Sequence, residues 1–169
     1  MWLVPASPER ETAINVIQNL IKSEPDSPAF DPHITLLHPI PKSTPIESIT
    51  TSLQNIAQQL DLRAKPLWLN LKPAQAGTFY YQSVLAPVAP NDTLSALRAA
   101  CEDAFEWKNG KPYFPHLSLL YGDLSTERRD ELAQTVRDLP ESVTIKEILV
   151  VDCTGVTKDW KTVATVALL

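Results

Sequence analysis

A short motif occurs twice in the chain, and this repeat limits the possible folds more than any other feature of the sequence. Residues 32–38 (PHITLLH) match residues 115–121 (PHLSLLY). The proline, the histidine and both leucines are identical, and the two histidines lie 83 positions apart in a chain of 169 residues. The predicted order of elements, βαβαββ followed by αβαββ, contains the block strand, helix, strand, turn, strand twice. We therefore predict an internal duplication.

Hydrophobic periodicity and turn residues predict an α+β chain with four helices and seven strands. We expect Ser7 to cap the first helix, and Thr44 to cap the second in a capping box with Glu47. The third helix is predicted over 93–107 and the fourth over 125–139. The predicted strands cover Trp2–Val4, Ile34–Leu37, Leu67–Leu71, 78–86, Leu117–Tyr121, 143–152 and 160–168, with Gly77 and Gly155 in turns.

Composition excludes several classes of nucleotide-binding protein. The four glycines, at 77, 110, 122 and 155, are not clustered, so neither a P-loop nor a dinucleotide-binding fingerprint is present. A net charge of −5 argues against a protein that binds long DNA or RNA by neutralising its phosphates. A small phosphorylated ligand is compatible with an acidic protein, because a local pocket can still be positive.

The cysteines and the N-terminal sequence indicate the compartment. Two cysteines cannot form a disulfide framework or a four-cysteine zinc site, so we expect Cys101 and Cys153 to be buried thiols, with a single bridge between them left open. The first residues have neither the basic segment nor the apolar stretch of a signal peptide, and no apolar run is long enough to span a membrane. We expect a monomer in the cytoplasm or the nucleus.

The repeated motif places an imidazole and a hydroxyl side by side. Residues i and i+2 of a strand point to the same face, so His33 lies beside Thr35, and His116 beside Ser118. If the two strands are neighbours, two such pairs face each other across a cleft. Hydroxyls can donate hydrogen bonds to the oxygens of a tetrahedral anion, while one neutral and one protonated imidazole can act as base and acid.

These residues resemble the 2H phosphoesterase superfamily, which is named for two HxT/S motifs. The second motif and the LLYG sequence at 119–122 are similar to the branch of plant and fungal cyclic nucleotide phosphodiesterases. The resemblance implies one domain over residues 1–169, made of two pseudo-symmetric lobes with motifs at 33–35 and 116–118. It also implies two mainly antiparallel sheets that flank a central cleft, with the helices outside.

The resemblance further implies an enzyme that hydrolyses 2′,3′-cyclic nucleotides to nucleoside 2′-phosphates, or the 1″,2″-cyclic phosphate of ADP-ribose, a by-product of tRNA splicing. His33 and His116 would be the catalytic pair, and which one is the acid stays open. Thr35 and Ser118 would bind phosphate oxygens, and Tyr121 would lie at the rim of the site. No metal or other cofactor is expected.

Two other functions stay open at this point. One is a related enzyme that acts on RNA ends, as a cyclic phosphodiesterase or a 3′-end exonuclease; the other is a nucleotide- or RNA-binding module without turnover. His38 aligns with Tyr121, but its offset from His33 predicts the opposite face of the strand, so we expect a solvated loop histidine. Strand aromatics usually belong to the core, and we expect this of Trp2 and residues 79–81.

Overall fold

The structure is a computed structural model that describes residues 1–107, 110 and 112–168. In these residues four α-helices accompany an antiparallel sheet of eight strands. The helices are α1 (Glu9–Ser23), α2 (Ile46–Gln59), α3 (Asp92–Ala104) and α4 (Thr126–Thr135). The strands are β1 (Trp2–Pro5), β2 (Ile34–Thr35), β3 (Leu67–Asn70), β4 (Gln75–Ala76), β5 (Val84–Pro87), β6 (His116–Leu120), β7 (Ser142–Asp152) and β8 (Lys161–Ala167).

The strands form one continuous sheet, where the resemblance implied two. Its order is β3-β7-β1-β2-β6-β5-β4, and β8 also pairs with β7. At the middle of this order β2 and β6 are joined through one pair of residues, Ile34 and Leu117. This narrow connection brings the two copies of the repeated motif onto adjacent antiparallel strands.

The apolar faces of the helices and strands form the core. Along α2, the buried residues Ile49, Leu53 and Ile56 recur at helical spacing. The paired residues Ile34 and Leu117 are both fully buried. Helix α1 packs against β1, β6 and β7, α2 packs against α3 and β8, and α4 packs against β4 and β5. The neighbours of Ile34 and Leu117 along each strand therefore point to the opposite face of the sheet.

Two predicted helix caps are wrong. Pro8 and Pro45 occupy the cap positions of α1 and α2, and neither helix has a side-chain cap hydrogen bond. The expected caps, Ser7 and Thr44, each lie one residue too early. Acidic residues in the first turn of both helices still interact favourably with the helix dipole.

Several predicted elements extend too far. The strand predicted over Ile34–Leu37 ends at Thr35, and the helix predicted over 93–107 ends at Ala104. The strand predicted over 78–86 is broken, because a 3₁₀ helix at Tyr80–Gln82 precedes β5. Helix α4 ends at Thr135, so Val136 and Leu139 lie beyond it and pack against the core from an extended segment. The turn predicted at Gly155 is confirmed: its φ of +85° favours glycine, and a Cβ there would lie 2.8 Å from Asp159 Oδ2.

In the described part of the chain, no helix is long and apolar enough to cross a membrane.

Candidate active site

A cavity of about 380 Å³ opens over the junction of β2 and β6. All three histidines of the chain line it, and so do the predicted hydroxyl residues. Among the described lining residues none is acidic, so the cavity suits an anion better than a cation. The lining residues are Trp2, His33, Thr35, His38, Tyr81, Gln82, Arg98, Trp107, Pro112, Tyr113, Phe114, His116, Ser118, Tyr121, Cys153 and Trp160.

The register of β2 and β6 brings the two histidines and the two hydroxyl residues of the motifs together. Ile34 pairs with Leu117 in antiparallel orientation. The flanking positions are therefore opposite each other, so that His33 faces Ser118 and Thr35 faces His116. Each histidine has one hydroxyl two residues away on its own strand and the other across the strand pair. The two imidazoles are therefore diagonal to each other across the strand pair, and so are the two hydroxyls.

Both imidazoles are held by the same kind of hydrogen bond. His33 Nδ1 lies 2.7 Å from the carbonyl oxygen of Asp31, and His116 Nδ1 lies 2.8 Å from that of Phe114. A carbonyl oxygen only accepts, so Nδ1 must be the protonated nitrogen in each ring. In the neutral form Nε2 is then the basic nitrogen, and in the charged form Nε2–H is an acid.

The two histidines differ in burial. His33 is buried, with only 4% of its surface exposed, and the ring of Trp2 stacks on it. Burial lowers the pKa of His33 from 6.5 to about 4, although the hydrogen bond to Asp31 acts in the opposite direction. Burial also lowers the pKa of His116, which is only half-buried and lies beside the ring of Phe114.

Tyr121 reaches the cavity because β6 contains an irregularity. Leu120 pairs with Val84 while Ser118 pairs with Leu85, which leaves Leu119 as the extra residue of a β-bulge. The bulge shifts the alternation of side chains by one position. Tyr121, three residues after Ser118, therefore returns to the same face and lines the cavity together with Ser118. Burial raises the pKa of Tyr121, so its hydroxyl remains protonated.

Ser118 and Thr35 differ in their surroundings. Ser118 is buried, and its hydroxyl donates to the Tyr81 carbonyl at 3.3 Å. Thr35 is half-buried, and its backbone carbonyl accepts a hydrogen bond from the Tyr113 hydroxyl at 3.0 Å. The structure thus brings all five predicted site residues to one cavity.

A buried arginine on α3 supports the segment that contains His33 and Thr35. Arg98 donates to the Leu36 carbonyl and to Glu102, and its guanidinium lies 4.1 Å from the ring centre of Trp107 and 4.6 Å from that of Tyr113. The sequence motifs did not point to Arg98, Trp107 or Tyr113 as residues of the site. The two aromatic residues just before the second motif, at 113 and 114, could have indicated an aromatic lining of the site.

The aromatic residues line the cavity more than they fill the core. Tyr121 stacks on Phe30 with ring centres 3.8 Å apart, and Trp160 lies edge-on to Trp2 at 5.6 Å. The expectation that residues 79–81 belong to the core is wrong, since Phe79, Tyr80 and Tyr81 are all exposed. Their 3₁₀ turn bends them away from the sheet. Trp2 is buried as expected, although it also lines the cavity.

His38 and Cys153 lie at another edge of the cavity. His38 is exposed, as predicted for a loop histidine, and it nevertheless lines the site. Cys153 is half-buried and Cys101 is buried, and both are free thiols, so the expectation of two buried thiols holds only for Cys101. The described residues contain no group of three or more His, Cys, Asp or Glu side chains that could bind a metal ion.

An α+β chain in which two adjacent strands bring His-x-Thr and His-x-Ser to one cavity has the features that define the 2H phosphoesterases. The family model described as cyclic phosphodiesterase-like protein matches residues 1–168, and the chain belongs to this family. A curated relative from Arabidopsis thaliana, named cyclic phosphodiesterase, is 24% identical over 172 residues, which cover 97% of this chain and 91% of the relative. Family and relative together indicate that the chain is a cyclic phosphodiesterase enzyme.

Proposed function

We propose that the chain hydrolyses 2′,3′-cyclic nucleotides to nucleoside 2′-phosphates, and the 1″,2″-cyclic phosphate of ADP-ribose, by acid–base catalysis with His33 and His116 and without a metal. The observation that supports this most is that the same kind of hydrogen bond orients both imidazoles. Each Nδ1–H is held by a backbone carbonyl, so each Nε2 is the nitrogen that exchanges a proton. Each histidine is bonded to the carbonyl two residues before it, and this equivalence agrees with an origin of the two lobes by duplication.

In the proposed reaction a water molecule attacks the cyclic phosphorus, and the bond between phosphorus and O3′ breaks. Nε2 of His33 removes a proton from the water, and Nε2–H of His116 gives a proton to O3′. We assign the roles from burial: His33, with its pKa near 4, stays neutral and basic, whereas the more exposed His116 is protonated more readily. The products are the 2′-phosphate and a free 3′ hydroxyl.

Thr35 and Ser118 would bind the two non-bridging oxygens of the phosphate. Their positions across the β2–β6 junction put one hydroxyl near each histidine. Hydrogen bonds of this kind strengthen as negative charge develops on the oxygens, so they stabilise the transition state more than the ground state. Tyr121 would line the site beside Ser118, at its rim.

The proposed function is tested with purified protein, excess EDTA and adenosine 2′,3′-cyclic phosphate. Chromatography that separates 2′-AMP from 3′-AMP identifies the product. We expect 2′-AMP alone, and a rate reduced by about 10²–10⁴-fold in His33→Ala and in His116→Ala. His38→Ala is the matched control, since the third histidine lines the same cavity. Wild-type protein that is folded but gives no product would overturn the proposal, and near-normal rates in either variant would overturn the assigned residues.

A further inference from the structure

A second cavity of about 500 Å³ adjoins the candidate active site. His38 and Cys153 line both cavities, so they form the boundary between the two. The second cavity extends between the loop that follows β2, the start of α2 and the strands β7 and β8. The proposed mechanism uses none of the residues that line the second cavity.

The second cavity is mostly apolar, with a few polar groups at its edge. Its lining includes Ile46 and Val163, which are 45% and 41% exposed. Exposed apolar side chains that face a concave surface are typical of a site for the flat, apolar part of a small ligand. The volume also lies in the range of small-molecule sites.

The polar edge of the second cavity contains a cation, Lys42, and a carboxylate, Asp152. Lys42 Nζ donates to Thr154 Oγ1 at 2.8 Å, and Thr154 in turn donates to Asp152. An ammonium group has three donors, and this bond uses one of them. The Thr154 bond holds the lysine at the cavity, where the other donors can bind phosphate oxygens. His38 supplies a further nitrogen at the boundary.

We propose that the second cavity binds the adenosine diphosphate half of ADP-ribose 1″,2″-cyclic phosphate, while the cyclic phosphate occupies the active site. In this substrate the cyclic phosphate and the adenosine are separated by a diphosphate. The paired histidines line the cavity on one side of the boundary formed by His38 and Cys153, and Lys42 and the apolar lining with Ile46 belong to the cavity on the other side. A mononucleotide has no such second half and needs only the active site. This inference rests on the proposed function, and it concerns which of its substrates uses both cavities.

The test compares two substrates in the same variants, namely ADP-ribose 1″,2″-cyclic phosphate and adenosine 2′,3′-cyclic phosphate. Ile46→Glu places a carboxylate where we propose the adenosine diphosphate, and glutamate is well tolerated in the first turn of a helix. Lys42→Gln removes the cation. For each variant we expect the KM for the ADP-ribose substrate to rise about tenfold, the equivalent of one charged contact. We expect kcat/KM for the mononucleotide to remain within about twofold of the wild-type value.

Two control variants make the same changes of charge elsewhere. Gln54→Glu introduces a carboxylate on an exposed position of α2, and Lys65→Gln removes an exposed cation. Neither residue lines the second cavity, and we expect both variants to be unchanged on both substrates. Equal effects on the two substrates, no effect on either, or a wild-type enzyme that cleaves only the mononucleotide would overturn the inference. Wild-type protein that cleaves neither substrate would overturn the proposed function itself.

Discussion

The indole ring of Trp2 stacks on the imidazole of His33, with ring centres 3.7 Å apart and an angle of 10° between the planes. Trp2 thereby excludes water from one face of the histidine. Desolvation is the largest cause of the low pKa of His33. The tryptophan in the first strand therefore has a chemical effect on the candidate base in addition to its packing.

Replacement of Trp2 should change the pH dependence of the reaction. The acidic limb of kcat/KM reports the pKa of the base in the free enzyme, which is about 4 for His33, and the alkaline limb reports the acid His116, below 6.5. Trp2→Leu exposes His33, so its pKa should rise toward 6.5 and kcat/KM at pH 5 should fall by about tenfold.

Steady-state kinetics from pH 4 to pH 8 measure this shift of the acidic limb. Trp68→Leu is the control, because Trp68 is 59% exposed and lies outside the cavity. An acidic limb that stays in place in Trp2→Leu would show that stacking does not set the pKa of the base.

A substrate with sulfur in place of O3′ should separate the acid from the base. A thiolate leaves without protonation far more readily than an alkoxide, so it needs a general acid much less. We expect His116→Ala to lose about 10²–10⁴-fold on the oxygen substrate but little on the sulfur substrate. His33→Ala should lose activity on both. If His33→Ala is rescued by sulfur and His116→Ala is not, the assigned roles are reversed.

The repeated motif predicted which histidine and hydroxyl side chains lie side by side, because short-range geometry determines this. Alternation along a strand places His33 beside Thr35 and His116 beside Ser118 wherever those strands lie. The sequence did not show that the two strands are direct neighbours in one sheet, since pairing depends on long-range contacts. It also did not reveal the bulge at Leu119, which brings Tyr121 into the cavity against the simple alternation rule.

The fold was predicted best where periodicity was strongest. Helix α2, with its regular apolar positions, was found almost completely, whereas its start was placed one residue early because Pro45 took the cap position. The end of α4 was overestimated because Val136 and Leu139 fit a helical spacing, although they lie in an extended segment and are partly buried against the core. Apolar spacing alone does not distinguish a residue in the helix from one in the segment after it, because tertiary packing determines where the helix ends.

Removal of the Tyr113 hydroxyl should show whether it positions Thr35. The Tyr113 hydroxyl donates to the Thr35 carbonyl, and Tyr113→Phe removes only this bond. We expect kcat to fall about tenfold, with the pH limbs unchanged, because the Thr35 hydroxyl would be less well held against the phosphate. Thr35→Val alone should reduce kcat by about 10²-fold.

The double variant decides whether Tyr113 acts through Thr35. In the Thr35→Val background, Tyr113→Phe should have no further effect on kcat, since the group it positions is absent. Tyr80→Phe, which removes the hydroxyl of an exposed tyrosine, serves as the control. Independent, multiplicative losses in the double variant would mean that Tyr113 acts by another route.

Burial of neutral His33 should also make the stability of the protein depend on pH. Its folded pKa of about 4 lies below the unfolded value of 6.5, so the unfolded chain binds more protons between these values. The free energy of unfolding should therefore decrease as the pH falls from 6.5 to 4, with a contribution from His33 of about 3 kcal/mol, and this residue should add no further change below pH 4. Urea unfolding at pH 7 and at pH 4.5 measures the difference.

His33→Gln should lose most of this pH dependence, because glutamine does not titrate. His116→Gln is the matched comparison: His116 is only half-buried, so its removal should reduce the slope less. Carboxylates contribute equally to both variants and cancel from the comparison. If the two variants have the same slope as the wild type, His33 is not held neutral in the folded protein, and the argument that makes it the base fails with it.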